Sequence, residues 1–414
     1  MNKYPSSWQV QRLGKVFPKV VVGYVGNVND YYCSEEEGVP FYRTLNIRNG
    51  YFRHIDLKYV THSFNDKNKK SQIKNNDILI ARVGANLGMV CKVTGLNSVA
   101  NIANAIIIKS SLIDDADIDF FTYFLLSPLG KKQIFAGAAG GAQGVFNTKL
   151  TQEIKVPVPS FPEQQKIAKI LSTWDKAIST TERLIDNSTQ QKKALMQQLL
   201  TGKKRLLDGL GQRFEGEWEE VSIGSTSKCF SGGTPSRTKD EYYNGSIPWI
   251  TSGKLNDRFV DSVNEYITEL GLQNSSAKIV KNGSILVAMY GATAGKVALN
   301  TLDSATVNQA VLALEPKEKF HNLFLFYLLE VEMLKALLLV QGGQPNLSAT
   351  IIKAIKIKVP ALLEQQKIAT VLTNADKEIE LLEQQLADLQ QEKKALMQVL
   401  LTGKKRVVVD GEVA

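Results

Sequence analysis

The segment YRTLNIRNGYFRH, Tyr42 to His54, interleaves Arg43, Arg48 and Arg53 with Asn46, Asn49 and aromatic rings. Guanidinium forks and carboxamides are the side chains that pair bidentately with guanine and adenine edges, so this pattern suits the reading of bases in a groove. A solvated charged face has the same composition. A second segment, SGGTPSR, offers Ser231, Gly232, Gly233, Thr234, Ser236 and Arg237. Backbone amides, hydroxyls and one cation make either a phosphate-gripping loop or a plain turn. Tyr243 follows it, and Ser252 and Lys254 in WITSGKLNDR hold the place that the Arg/Asn segment holds earlier in the chain.

Other chemistries find less support. GATAGKV, Gly291 to Val297, resembles a nucleotide-binding P-loop, but only three residues separate its glycines and a valine follows Lys296. A P-loop needs four residues there and a Ser or Thr after the lysine. The earlier counterpart, GANLGMV, lacks the lysine altogether. A glycine-bracketed turn near a ligand fits better, with Arg82, Tyr290 and Lys296 as candidate contacts. His54, His62 and His321 have no metal-ligand spacing, and no nucleophile–base set stands out. The expectation is a protein with no catalysis and no cofactor or metal of its own.

What must position these residues is a repeated frame. QKKALMQQLLTGKKR, Gln191 to Arg205, recurs as EKKALMQVLLTGKKR, Glu392 to Arg406, and PEQQKIAKIL, Pro162 to Leu171, recurs as LEQQKIATVL, Leu363 to Leu372. Glu163 matches Glu364 and Arg205 matches Arg406, with one offset (364 − 163 = 201) and no gap. Weaker matches run in the same order: Trp8 with Trp218, GVPFYRTLNI with SIPWITSGKL, and ILIARVGANLGMV with ILVAMYGATAGKV. The chain is thus one unit of about 200 residues written twice, a variable domain followed by a nearly constant segment.

Each constant segment reads as a helix of about 38 residues, roughly 57 Å long. Its apolar positions alternate by four and three in a narrow seam. In the second copy these are Ile368, Leu372, Ile379, Leu382, Leu386, Leu389, Leu396 and Leu400; in the first, less regular, Ile167, Leu171, Trp174, Ile178, Ile185, Leu195 and Leu199. Pro162 suits a helix start, and Gly202 and Gly403 suit stops. Lys192 and Lys393 fall on the seam, where they could fix the register or snorkel to solvent, and snorkelling is the expectation. The second variable domain leaves one helix and enters the other, so its two attachment points must lie within a domain's width. That favours an antiparallel pair with the globular domains at opposite ends of a rod; core helices of a larger bundle are the plainer alternative.

The variable domains read as β-rich with a few helices. DILIARV and SILVAMY are strand-like, Asp119–Phe135 and Asn322–Val340 are helical in period, and EIKVPVP and AIKIKVP alternate as short strands. Trp8 and Trp218 are expected in the cores. The fold class is α+β: two β-rich domains with two long antiparallel coiled-coil helices and a pseudo-twofold internal repeat. The boundaries are 1–158, 159–210, 211–359 and 360–406, with a tail at 407–414. Net charge is +9, compatible with a polyanionic partner. Three scattered cysteines and a polar N-terminus suggest the cytoplasm, and Glu330, Glu332 and Lys335 interrupt the most apolar stretch, which argues against a membrane span.

Two variable domains alternating with two copies of PxxEQQKIAxxL…KKALMQxLLTGKKR resemble the specificity (S) subunits of type I restriction–modification systems, over essentially the whole chain. SGGTPSRTKDEYYNGSIPWITSGKL looks like one common form of that family's target-recognition domain, and GVPFYRTLNIRNG like another. The resemblance implies that each domain reads one half of a split, asymmetric site on double-stranded DNA. It implies that the helices set the gap and dock two methyltransferase (M) subunits, and that restriction/translocase (R) subunits complete the complex. S-adenosylmethionine, ATP and Mg are then expected only in the partners. The phosphate-loop role transfers only to Ser231–Arg237, since the first domain lacks that loop. Three rival readings are a coiled-coil scaffold joining protein-binding modules without DNA affinity, a self-contained methyltransferase or NTPase, and a silent or orphan specificity allele.

Overall fold

The computed structural model describes residues 4–110, 115–139, 145–339 and 346–409. They form two compact units: residues 1–182 with 384–414, and residues 183–383. Each unit holds one variable domain and parts of both long helices, Phe161–Leu199 and Leu362–Leu400, 39 residues apiece. The helices end where the glycines predicted, with Gly202 and Gly403 at φ +70° and +67°, the left-handed conformation that glycine adopts without steric cost. Of the tail, residues 410–414 lie outside the described residues, as does Val340 of the predicted helix.

In the first unit, a four-stranded sheet runs Val90–Lys92, Ile78–Ala81, Ala105–Ile108, Val20–Val22. Its central strands are buried on both faces, and side-chain alternation divides them between two cores. Ile78, Ile80, Ile106 and Ile108 face the helices, where they meet Phe120, Phe121 and Phe124. Leu79, Ala81, Ala105 and Ile107 face Tyr42, Ile73, Ala100 and Ile102, all from the five-stranded second sheet, Tyr42 on its central strand Gly38–Tyr42. Each buried aromatic or aliphatic side chain contributes about 1.5–3 kcal/mol. The second unit repeats the plan: Ile285 and Val287 face the helix layer, Leu286 and Ala288 the other sheet.

The helical run predicted from Asp119 is two helices, Ile118–Leu126 and Pro128–Ala139. Pro128 has no N–H to continue the first helix, and its ring disfavours helical backbone at Ser127, which is extended with ψ 159°. The predicted helix in the second domain is continuous over Asn322–Leu339.

Each domain is closed by a ladder between its first and last strands. Gln9–Arg12 pairs antiparallel with Lys155–Val158, and Glu219–Ser222 with Lys356–Val359. Entry and exit of the chain are therefore adjacent strands, which meets the constraint that argued for antiparallel helices. Within each unit the start of one long helix lies beside the end of the other, since Glu163 contacts Arg406 and Glu364 contacts Arg205.

The predicted seam divides into two kinds of position. Ile167, Leu171 and Leu400 are buried in the first unit's core, and Leu199, Ile368 and Leu372 in the second's. Trp174, Ile178, Ile185, Leu195, Ile379, Leu382, Leu386, Leu389 and Leu396 are half-buried. The helix ends thus dock into the globular domains as well as lying beside one another. Trp8 is buried; Trp218 is half-buried, edge-on to Phe324.

Candidate nucleic-acid interface and its helical frame

In the first unit the Arg/Asn segment is a short 3-10 turn, Thr44–Asn46, followed by a tight hairpin, Ile47–Arg48 against Tyr51–Phe52, with Gly50 at φ +87°. Asn46 builds it. Its Oδ1 accepts from the Arg43 backbone N–H at 2.9 Å, and its Nδ2 donates to the carbonyls of Arg53 (3.1 Å) and Ile55 (2.8 Å). With its side chain fully buried and both donors used, Asn46 pins the loop and is corrected from the list of base readers. The arginines differ in freedom. Arg43 Nη2 donates to Asp56 Oδ2 and Asp56 O, both at 2.7 Å, and Arg48 Nη1 to Asn86 Oδ1 at 2.7 Å. Arg53 is half-exposed and has no side-chain hydrogen bond or ion pair among the described residues. Arg82 is half-buried beside the following turn, its Nε without a partner among the described residues. Tyr51, beside the hairpin tip and one of the aromatic rings interleaved with the arginines, is 57% exposed.

In the second unit the glycine-rich loop is not the amide cradle its composition suggested. The Gly233 N–H donates to Val307 O at 2.9 Å and the Gly232 N–H to Val311 O at 3.4 Å. A Cβ on Gly232 would sit 1.8 Å from Val307 O, and one on Gly233 2.3 Å from Ser276 Oγ. Gly232 and Gly233 are therefore corrected: they are glycines because backbone passes against backbone, and their amides are spent inside the protein. Ser231 lies on the strand Ser227–Ser231, and Thr234 bonds Gln309. Ser236 pairs with Thr238 at 2.9 Å. Arg237 is the exposed feature. Its guanidinium lies 4.7 Å from the Tyr243 ring centre and 4.9 Å from that of Trp249, and meets Glu265 at 2.9 Å. Stacking and the carboxylate hold the fork in place while leaving donors toward solvent.

Beside Arg237 a cleft of about 480 Å³ is lined by Trp249, Lys254, Asn256, Asp257, Asn264 and Glu265. Lys254 is tied to Asp257 at 2.8 Å, and Ser252 is half-buried on the same 3-10 turn. Donors and acceptors alternating around one concavity can read base edges, and Asn256, Asn264 and Glu265 were not singled out by sequence because they are scattered through loops. Tyr290 and Lys296 are exposed on the turn between Ile285–Ala288 and Val297–Asn300. That turn joins antiparallel strands, whereas a P-loop opens a helix, so the P-loop resemblance fails on topology too. Among the described residues no three His, Cys, Asp or Glu side chains converge as metal ligands.

Beneath these variable surfaces lies one set of contacts, built twice. Glu163 accepts from Arg406 at 2.6 and 3.0 Å, and Glu364 from Arg205 at 2.6 and 2.7 Å. Gln164 Oε1 accepts from the Asp117 N–H at 2.9 Å, and Gln365 Oε1 from the His321 N–H at 2.8 Å, tying each long helix to the segment entering its domain's helix. Further along, Lys393 pairs with Asp175, which also accepts from Tyr123 at 2.6 Å. Lys192 pairs with Asp376, which accepts from Tyr327 at 2.7 Å. The seam lysines are thus ion-paired and lie over tyrosine rings, 5.4 and 5.6 Å from the centres. This corrects the expectation of snorkelling: a carboxylate one helix away offers more than solvent. In the second unit Arg258 adds a contact to Asp376 at 2.9 Å and a fork onto Glu330. Burial works to raise the Asp376 carboxyl, but hydrogen bonds from Lys192 and Tyr327 and the two cations outweigh it and hold it below the usual carboxylate range.

Two dissimilar reading surfaces on one duplicated helical frame match a known pattern. The profile described as type I restriction modification DNA specificity domain matches residues 5–187 and again 215–391. The chain belongs to that family. As a specificity subunit it is 28% identical to the type I restriction enzyme MjaVIII specificity subunit of Methanocaldococcus jannaschii, over 98% of this chain and 94% of the relative. It is 29% identical to the EcoR124I/EcoR124II specificity subunit of Escherichia coli, over 66% and 67%. Among solved structures, the type I S subunit from M. genitalium superposes with TM-score 0.59 at 16% identity, covering 97% of each chain. A chain from a study of type I complex assembly and conformational transition gives 0.57 at 14%, covering 98% of this chain and all of that one. At such identities the structures bear on the fold, which this specificity subunit shares. Among the described residues, no helix is long and apolar enough to cross a membrane.

Proposed function

We propose that this specificity subunit is the non-catalytic DNA reader of a type I complex. Each variable domain, near 1–158 and 211–359, reads one half of a split site on double-stranded DNA. Arg53, Arg48 and Tyr51 serve one half; Arg237, Lys254 and the cleft beside them serve the other. The long helices set the gap and carry two methyltransferase subunits, with restriction/translocase subunits joining the full assembly. Those partners supply S-adenosylmethionine, ATP and Mg chemistry.

The observation that carries this reading is the contrast within each unit. The Glu–Arg and Asp–Lys–Tyr contacts recur residue for residue, while the loops above them carry different polar side chains, Arg43, Arg48 and Arg53 in one domain and Arg237, Ser252 and Lys254 in the other. A duplicated frame under two different surfaces is what two copies of one partner and two different half-sites require. The test is long-read sequencing of adenine methylation in cells with the complete system and in cells lacking only this chain. Loss of one split motif supports the proposal and gives both half-sites. No change in methylation, with the chain expressed beside its partners, overturns it in favour of a scaffold or silent allele.

A further inference from the structure

The reading turn of the second domain and the hairpin of the first occupy matching places in the repeat. GVPFYRTLNI and SIPWITSGKL align at an offset of 208, which brings Phe41 to Trp249 and Gly50 to Arg258 (249 − 41 = 258 − 50 = 208). The structure keeps this register. Phe41 and Trp249 pair in parallel with Asn101 and Thr306, and the short strands Tyr51–Phe52 and Phe259–Val260 follow the two 3-10 turns. A glycine in one copy thus answers to an arginine in the other, and the two units are built differently around it.

Arg258 follows the turn Ser252–Asn256 that carries Lys254. Its carbonyl accepts from the Leu299 N–H at 2.9 Å, and Asp257 beside it holds Lys254 at 2.8 Å. Its side chain reaches two helices at once. Nε and Nη2 donate to the two carboxylate oxygens of Glu330, at 2.6 and 2.7 Å, on the helix Asn322–Leu339. Nη1 donates to Asp376 Oδ1 at 2.9 Å, on the long helix, and the guanidinium lies 5.2 Å from the Phe326 ring centre. A planar fork held by two carboxylates and a ring has one geometry, which a rotatable ammonium would not impose.

In the first unit the same place is open. Leu126 stands where Glu330 does (330 − 126 = 327 − 123 = 204), and Asp175, the counterpart of Asp376, has a side chain 45% exposed against 17%. A cleft of about 670 Å³ lies there, lined by Gly50, Tyr51, Leu126, Asp175, Ile178 and Lys393 among others. Among the described residues no hydrogen bond or ion pair joins the hairpin 47–52 to a long helix; Lys131 holds it instead, from Nζ to Asn49 Oδ1 at 2.5 Å.

We infer that Arg258 is a positioning residue for the second half-site: it contacts no base, and it fixes the reading turn Ser252–Asn256 on the long helix. The inference rests on the reading above and deepens it to the residue that braces one of its two surfaces. Donors that read base edges must be held to within about 0.5 Å, so Lys254 and Asn256 discriminate only while the root of their turn is fixed. The first half-site does not depend on this brace, because its domain has Gly50 at that position.

Complexes of the full chain with its methyltransferase subunits are titrated on duplexes mismatched in one half-site at a time, the half-sites being those the methylation motif gives. Arg258→Lys keeps the charge and loses the fork; Arg258→Gln loses both. Discrimination is expected to fall about tenfold at one half-site, more for Gln than for Lys, and to stay within about twofold at the other, which reports on folding in the same sample. Lys192→Gln takes the other cation from Asp376 and leaves the turn braced, so it should lower the unfolding temperature without changing discrimination at either half-site. Equal losses at both half-sites, no loss at either with Arg258→Gln, or a Lys192→Gln complex that behaves like Arg258→Lys would each overturn the role of Arg258 while leaving the specificity-subunit reading intact. A wild-type complex that discriminates at neither half-site would overturn both.

Discussion

Glu163, in the first turn of one long helix, lies under Arg406, just past the end of the other, with both carboxylate oxygens engaged at 2.6 and 3.0 Å. Glu163 Oε2 also accepts from the Trp8 indole N–H at 2.9 Å. One carboxylate thus ties together the first segment of the chain, the start of one helix and the end of the other. The side chain of Glu163 is 2% exposed and that of Arg406 46%, so the acid is committed to this arrangement far more than the base.

Removing that acid should therefore cost more than removing the base. Glu163→Ala strands the Trp8 N–H and the guanidinium, and about 3 kcal/mol is expected, the lower end of the buried range because Arg406 retains solvent. Arg406→Ala should cost less. Urea unfolding of both single variants and of the double variant checks this, and equal losses would show that the indole bond contributes nothing.

Asp376 gives a pH dependence with a definite sign. Its carboxyl sits below the ordinary 3.8 in the folded chain, so its contribution is fully present above that value and disappears as pH falls through the lower folded value. Asp376→Asn should flatten the acid limb of stability against pH below about 4 and lower stability at neutral pH. An acid limb unchanged by the substitution would sink this assignment.

The two glycines distinguish packing from phosphate binding. Gly232→Ala places a methyl 1.8 Å from Val307 O, and a loss of about 3 kcal/mol or more is expected from backbone displacement. Thermal unfolding of the variant reads it directly. A variant as stable as wild type that only bound DNA less well would restore the phosphate-loop role.

Arg237→Ala and Arg53→Ala should separate in DNA binding. Arg237 lies in the loop after the strand Ser227–Ser231, and its loss should weaken all sequences alike and lower the salt slope by about 1. Arg53→Ala should relax one half-site by about 1–3 kcal/mol of discrimination. Titrations on matched and mismatched duplexes at several salt concentrations compare them, and equal losses on every duplex for both would reject this division.

Burial pushes the Cys91 thiol up to about 12, while Cys33 and Cys229 are only half-buried. Cys91 should react with a thiol reagent only after unfolding, and the other two in the native chain. Three fast-reacting thiols in native protein would contradict the packing around Cys91.

Much of this molecule was legible as sequence because the chain contains its own comparison. The offset of 201 residues marked out the helices and the glycine stops, and DILIARV and SILVAMY read as strands. What sequence could not decide was which partner each polar group takes. Asn46 looked like a base reader and Gly232 like a phosphate cradle, because residue type states what a group can bond and not what lies opposite it. Lys192 and Lys393 looked free for the same reason: Asp376 and Asp175 are distant along the chain and adjacent only once the helices run antiparallel. Composition and periodicity are local and survive in the sequence. Satisfaction of a hydrogen bond depends on the distance between segments remote in the chain, and only the folded structure fixes that.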